Sequence, residues 1–225
     1  MALSARGTAA ALPSEGMLMW KILNNLWCPY NNPLGFISLG VAENSLMHEV
    51  TLKHLHEHLS LPHHGLTYGD GSTGSKRLKR ALSQFLNANF APATKITAAY
   101  ITITNSCSSA LEHLSWATAD SGDGFLLGRP FYGTFVPDLS FRTGATVVLV
   151  SFGYVDPLGA EVVDVYEDAI LAARERRQRI AGLVLCNPHN PLGRCYLRDV
   201  IVRLMRLCQK YKIYLISDEI YALSV

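Results

Sequence analysis

Leu183-Val184-Leu185-Cys186-Asn187-Pro188-His189-Asn190-Pro191-Leu192-Gly193 and, further along, Leu215-Ile216-Ser217-Asp218-Glu219-Ile220-Tyr221 are the two stretches on which the fold turns. Each opens on a short apolar run and closes on polar residues. The first run feeds two Asn-Pro dipeptides, which force an extended, tightly turned loop. The second places an acid and a tyrosine directly after the run. Working outward, similar runs occur at Tyr100–Thr104, Gly124–Leu127, Thr146–Val150 and Ile213–Ile216. They are short and rich in Val, Ile and Leu, as buried parallel strands are. Between them the apolar period becomes helical, at 108–119, 131–142, 164–179 and 196–211. In the last of these Leu197, Val200, Ile201, Leu204 and Cys208 form one stripe. This alternation predicts a mostly parallel α/β sheet with helices on both faces. Ligands on such sheets bind beyond the carboxyl ends of the strands.

Upstream of the alternation the texture differs. Residues 1–36 read as irregular, and the small-residue stretch 1–14 reads as a frayed terminus. Helices are expected over 45–60, with Ser45 as cap, and over 75–90. A glycine-rich loop at 61–74 separates them. The domain division is expected as 1–64, an N-terminal arm with part of a small domain, and 65–225, a large domain.

The bulk composition is unremarkable for a globular chain: 225 residues, 49% apolar, 17% charged, net charge +2. That balance gives no field for nucleic acid or a membrane surface. Cys28, Cys107, Cys186, Cys195 and Cys208 form no CxxC pair and no zinc spacing. An odd, scattered set suits a reducing compartment, so a cytoplasmic location is expected. Two patterns invite chemistry that they do not support. Gly69-Asp70-Gly71-Ser72-Thr73-Gly74-Ser75-Lys76 inverts the Gly-Lys-Ser/Thr order of a phosphate loop and follows no strand. His54 and His58 share a helix face but find no further ligand in the sequence, and no metal site is expected.

The residues after the runs carry the chemistry. An Asp at a strand end can ion-pair with a protonated heteroaromatic nitrogen, and a tyrosine three residues on can donate to a neighbouring oxygen. Thr104-Asn105-Ser106-Cys107-Ser108-Ser109-Ala110 stands between a run and a helix. Hydroxyls and N–H groups there suit a phosphate.

Asn-Pro-x-Asn-Pro-Leu-Gly at 187–193 followed by Ser-Asp-Glu-Ile-Tyr at 217–221 resembles the fold-type I pyridoxal-phosphate (PLP) enzymes of the class I/II aminotransferase family. Within it, Leu39-Gly40-Val41-Ala42-Glu43-Asn44, Asp120-Ser121-Gly122-Asp123-Gly124-Phe125 and Phe141-Arg142-Thr143-Gly144-Ala145 are similar to the 1-aminocyclopropane-1-carboxylate (ACC) synthase-like group. The resemblance spans about residues 35–225 and implies the fold-type I large domain, incomplete, with an N-terminal part of the small domain. It implies pyridoxal 5′-phosphate as cofactor. Asp218 would bond the pyridine nitrogen, Asn190 and Tyr221 the O3′ oxygen, and Cys107 and Ser108 the phosphate. Tyr132 would stack on the ring, and Ala42 and Glu43 would lie near an α-amino-acid substrate. Transamination is the reaction implied first, ACC-type elimination second, and a non-catalytic paralogue is the rival of a different class. A homodimer is implied for the full-length protein.

Two positions depart from the family pattern. Ser106 stands where glycine is usual, and no tyrosine lies at 71–74, where one usually reaches the neighbouring subunit's cofactor. The chain's lysines are Lys21, Lys53, Lys76, Lys79, Lys95, Lys210 and Lys212, none in a Ser-x-x-Lys setting. The Schiff-base lysine is therefore expected to lie beyond these residues, and the chain is expected to be a fragment without catalytic residues of its own. On the same resemblance two further strands would insert beside Tyr100–Thr104, leaving that run unpaired here.

Overall fold

A computed structural model describes residues 2–5, 7, 8, 18–40 and 44–224. The chain divides into two compact units, Met1–Thr67 and Tyr68–Val225.

In the first unit a helix, α1, spans Leu18–Leu23, and a second, α2, spans His48–His58. The region up to residue 36 is thus not irregular throughout: the apolar Leu18-Met19-Trp20 run and Ile22-Leu23 carry a helical turn that length alone obscured. After α1 the chain folds back on itself. Asn32 Nδ2 donates to Asn25 Oδ1 at 2.8 Å and to the Leu26 carbonyl at 2.9 Å, closing the loop at Asn31-Asn32-Pro33. The expected helix over 45–60 is present as α2, but Ser45 does not cap it: Ser45 opens a 3-10 turn, Ser45–Met47, and Met47 stands at the cap without a side-chain hydrogen bond. The apolar residues of this segment, Leu46 in the turn and Val50, Leu52 and Leu55 in α2, are all exposed. The His54 and His58 rings stack with centroids 4.2 Å apart, and His58 Nδ1 bonds the His54 carbonyl. Most of 1–14 and the pair Ala42 and Glu43 lie outside the described residues.

In the second unit α3 (Lys76–Asn89) begins at Ser75, whose hydroxyl caps it by accepting from Leu78 N at 3.3 Å. The alternation follows: α4 (Ser106–Thr118), β1 (Gly124–Gly128), α5 (Phe135–Ser140), β2 (Thr146–Val150), α6 (Val162–Glu175), β3 (Ile180–Cys186), α7 (Arg198–Tyr211) and β4 (Tyr214–Asp218). The strands form one parallel sheet in the order β2-β1-β3-β4.

All seven residues of β3 are buried, which puts it at the centre of the core. Leu126, Leu183 and Leu185 face Val162, Tyr166, Ile170, Val200, Leu204 and Leu207 of α6 and α7. Phe125, Leu127, Val184 and Cys186 face Leu111, Phe135 and Leu139 of α4 and α5. The sheet is therefore covered on both faces. Each large apolar side chain so buried contributes about 1.5–3 kcal/mol. In α7 the stripe is shifted inward: Val200, Leu204, Leu207 and Cys208 are buried, whereas Leu197 precedes the helix and is 72% exposed.

The Tyr100–Thr104 run does not join the sheet. Residues Ala98–Tyr100 form a 3-10 turn and Tyr100 is 75% exposed. The extended backbone beyond it is held by Ile103 N donating to the Thr73 carbonyl at 3.0 Å. A strand exists only with a ladder partner, and no described strand runs beside this one. The glycine-rich loop makes the contact possible. Gly74 has φ +96°, and a Cβ there would lie 2.6 Å from Ile103 Cβ.

At the amino end of the sheet a polar clamp ties three strands together. Arg179 pairs with Asp123 and donates to the Thr118 carbonyl at 3.1 Å. Gln178 Nε2 donates to Thr146 Oγ1 at 2.6 Å and to the Gly122 carbonyl at 3.2 Å. No helix among the described residues is long and apolar enough to cross a membrane.

Candidate cofactor site

The carboxyl end of the sheet brings the two motif stretches side by side. β3 and β4 are neighbours, and their register pairs Cys186 with Asp218. Asn187 N then donates to the Asp218 carbonyl at 2.9 Å, so the Asn-Pro loop leaves the sheet beside the acid. The loop closes on itself. His189 N donates to the Arg194 carbonyl and Gly193 N to the His189 carbonyl, both at 2.8 Å, and Tyr196 N donates to Asn187 Oδ1 at 3.0 Å. The amide oxygen of Asn187 is thereby consumed in the loop. The Asn190 carboxamide makes no hydrogen bond among the described residues and remains available. The Asn187-Pro188 and Asn190-Pro191 bonds are cis, as is Arg129-Pro130.

His189, between the two Asn-Pro pairs, is only 8% exposed. Burial, then the nearby Arg194, hold its imidazole below the ordinary histidine range. Arg194 itself forms a two-toothed pair with Asp156, at 2.7 and 3.1 Å.

Asp218 is half-buried. Its Oδ1 accepts from Ile220 N at 3.1 Å, and Oδ2 has no hydrogen bond among the described residues. Burial raises its carboxyl above the usual range, the Ile220 N–H partly offsets this, and the Glu219 charge adds to the rise. A cation beside it would return it to the ionised form. Tyr221 follows in the turn after β4, partly buried, with no side-chain hydrogen bond to Asp218 or Asn190.

The first turn of α4 faces the same place. The Cys107 thiol is pushed up by burial and then by the Asp218 and Asp138 carboxylates. Cys186 is raised by burial and, less, by Asp218 and Cys107. Leu111 of α4 packs in one cluster with Val184 and Cys186 of β3, which brings this helix onto the same face of the sheet. Ser106, the first residue of α4, has φ +71°, the left-handed region that L side chains avoid. That conformation explains why glycine is usual there. Ser108 Oγ donates to Asp138 Oδ2 at 2.9 Å. Tyr132, on the loop after β1, is 45% exposed and meets the Phe135 ring edge-on at 5.6 Å.

The structure therefore gathers Cys107, Ser108, Asn190 and Asp218 at one sheet end and leaves Tyr132 and Tyr221 on adjoining loops. Ala42 and Glu43 lie outside the described residues. Three residues at this end escape a sequence reading: Asp138, Cys186 and His189. Cys186 and His189 flank the expected asparagines and are betrayed by their position in the motif. Asp138 has no local signal.

Residues 35–225 match the family described as Aminotransferase class I and II. The chain belongs to that family. It is 30% identical over 224 residues to a probable aminotransferase, sirI, of Leptosphaeria maculans, covering 99% of this chain and 52% of that protein. It is 29% identical over 219 residues to 1-aminocyclopropane-1-carboxylate synthase 2 of Cucurbita pepo, covering 92% of this chain and 44% of that one. The fold matches an aspartate aminotransferase from Thermus thermophilus with maleate, at a TM-score of 0.70 and 22% identity. That match covers 98% of this chain and 53% of the other. The chain thus spans about half the length of these relatives. The family typically uses pyridoxal phosphate, and the residues at this sheet end suit it. They offer a half-buried carboxyl with an unengaged oxygen, an unengaged carboxamide, and hydroxyl and N–H groups at a helix start.

Proposed function

We propose that this chain forms the cofactor cradle of a pyridoxal-phosphate-dependent aminotransferase acting on an α-amino acid. The observation that carries the reading is the register of β3 and β4, which sets the Asn190 loop beside the raised, half-buried carboxyl of Asp218. Asp218 would hold the proton of the pyridine nitrogen. That contact stabilises the carboxylate, whose charge burial otherwise penalises. Asn190 and Tyr221 would donate to the O3′ oxygen, Tyr132 would cover the ring, and Cys107 and Ser108 would receive the phosphate through their backbone N–H groups. When bound, the cofactor supplies a sink for the electrons released as a bond at the amino acid's Cα breaks. Ala42 and Glu43 would line the substrate side. In this reading residues 1–64 supply part of a small domain and 65–225 the large domain, with a homodimer as the full-length assembly and the cytoplasm as its location. A second reading, ACC-type elimination, draws on the similarity to the Cucurbita pepo synthase.

The test is equilibrium titration of the protein with pyridoxal phosphate, followed by cofactor absorbance. Asp218→Asn should weaken binding about tenfold or more, since the carboxylate charge that strengthens the hydrogen bond to the protonated ring nitrogen is lost. Unchanged affinity in that variant, with an unchanged circular dichroism spectrum, would show that Asp218 only caps the turn after β4.

A further inference from the structure

The corner where α4 meets α5 holds a contact that the proposed function does not use. Ser108 Oγ donates to Asp138 Oδ2 at 2.9 Å. The two residues line a cavity of about 200 Å³ together with Ser109, Glu112 and Arg142. Arg142 is engaged by Glu112 at 3.1 Å, and Asp138 is in no ion pair among the described residues. The carboxylate of Asp138 also acts on the neighbouring Cys107 thiol, so its charge reaches the first turn of α4.

A serine hydroxyl has one proton and two lone pairs. While that proton is given to Asp138, Ser108 can offer an incoming anion only lone pairs. The carboxylate repels the same anion. We propose that Asp138 is a positioning residue that withholds the Ser108 hydroxyl from a phosphate monoester, leaving the phosphate to the N–H groups of the first turn of α4. The inference rests on the reading of that turn as the phosphate end of the cofactor cradle.

It has an unusual signature. Deleting the hydroxyl should cost less in the unmodified protein than it does once Asp138 is neutral. An asparagine at 138 can donate to Ser108 Oγ and return the hydroxyl proton to the ligand. The experiment is equilibrium titration of the 225-residue protein with pyridoxal phosphate at pH 8. Ser108→Ala alone should weaken binding by clearly less than the roughly tenfold that it costs on Asp138→Asn. Asp138→Asn should tighten it about tenfold, the size of one hydrogen bond to a charged group. Ser108→Ala placed on Asp138→Asn should lose about that tenfold again. A purely structural role for Asp138 would not produce this non-additivity. A loss of about tenfold from Ser108→Ala alone overturns the proposal, and does so even if Asp138→Asn fails to fold. If Asp218→Asn weakens binding but Asp138→Asn brings no gain, the inference falls and the ring site stands. If neither the unmodified protein nor Asp138→Asn binds the cofactor, both fall.

Discussion

Gly128→Ala should be among the most damaging single-methyl changes in this protein. Gly128 ends β1, immediately before the loop that carries Tyr132. A Cβ there would overlap the Tyr166 hydroxyl and approach Phe152 Cζ and Cε2 to 2.7 and 2.8 Å. Neither neighbour can yield easily. Tyr166 and Phe152 are buried, edge-on to each other at 5.4 Å, and Tyr166 sits within the α6 side of the core. Overpacking of this kind costs about 1–3 kcal/mol. The Tyr166 phenol also bonds the Gly128 backbone and Tyr196, and burial pushes its ionisation well above the ordinary range. Displacing that hydroxyl from its partners adds about 1–3 kcal/mol. The sum is about 2–6 kcal/mol, or roughly 4–24 °C in Tm for a domain of this size. Urea unfolding followed by circular dichroism measures it. Tyr166→Phe in the Gly128→Ala background removes the worst overlap and should restore about half the loss. Gly133→Ala is the control: no atom lies within 4 Å of its would-be Cβ, and the change should stay within about 0.5 kcal/mol. A Gly128→Ala protein as stable as the parent would refute the packing described for the end of β1.

Ser106→Gly should stabilise the protein by about 0.5–1 kcal/mol, because the left-handed strain on serine exceeds the entropy that glycine forfeits; a lower urea midpoint would contradict this. His189 has a folded-state pKa below its unfolded value, so the unfolded chain binds the proton more readily. Its contribution is present above about pH 6.5 and is lost as pH falls through the lowered folded value. Stability between pH 7.5 and 5.5 should thus fall less in His189→Gln than in the parent, and equal falls would remove His189 as the cause. Finally, borohydride treatment of these 225 residues with pyridoxal phosphate should leave no single stoichiometric lysine adduct by mass spectrometry. One such adduct at any of the seven lysines would overturn the expectation that the Schiff-base lysine lies elsewhere.

The parts of the fold legible in the sequence were those where burial and periodicity agree. Thr146–Val150 is apolar, β-branched and bounded by Gly144, and it is β2 to the residue. β3 begins three residues before the Leu183 run, because Ala181 and Gly182 are buried without looking hydrophobic. The helix expected over 131–142 shrinks to Phe135–Ser140, since Pro130 and Gly133 keep the preceding loop open for Tyr132. Tyr100–Thr104 has the composition of a strand, but pairing is not a local property, and here the run stays extended beside Thr73. The site divides in the same way. That Asn190 and Asp218 follow neighbouring strand ends was legible because their motifs are contiguous with those strands. The Ser108–Asp138 contact joins residues thirty positions apart and leaves no periodic trace.

The clamp at the amino end of the sheet separates two kinds of tolerance. Asp123, Gln178 and Arg179 bind β1, β2 and β3 together at the end opposite Asn190 and Asp218. On the proposed function, robustness and chemistry are therefore set at opposite poles of the same strands. Substitutions at the clamp adjust how firmly the strands are tied and leave the residues of the proposed cofactor site unchanged. For directed evolution this offers an independent handle: stability gained at Asp123 or Gln178 can underwrite riskier changes around Cys107, Asn190 and Asp218, and the two sets can be searched separately before being combined.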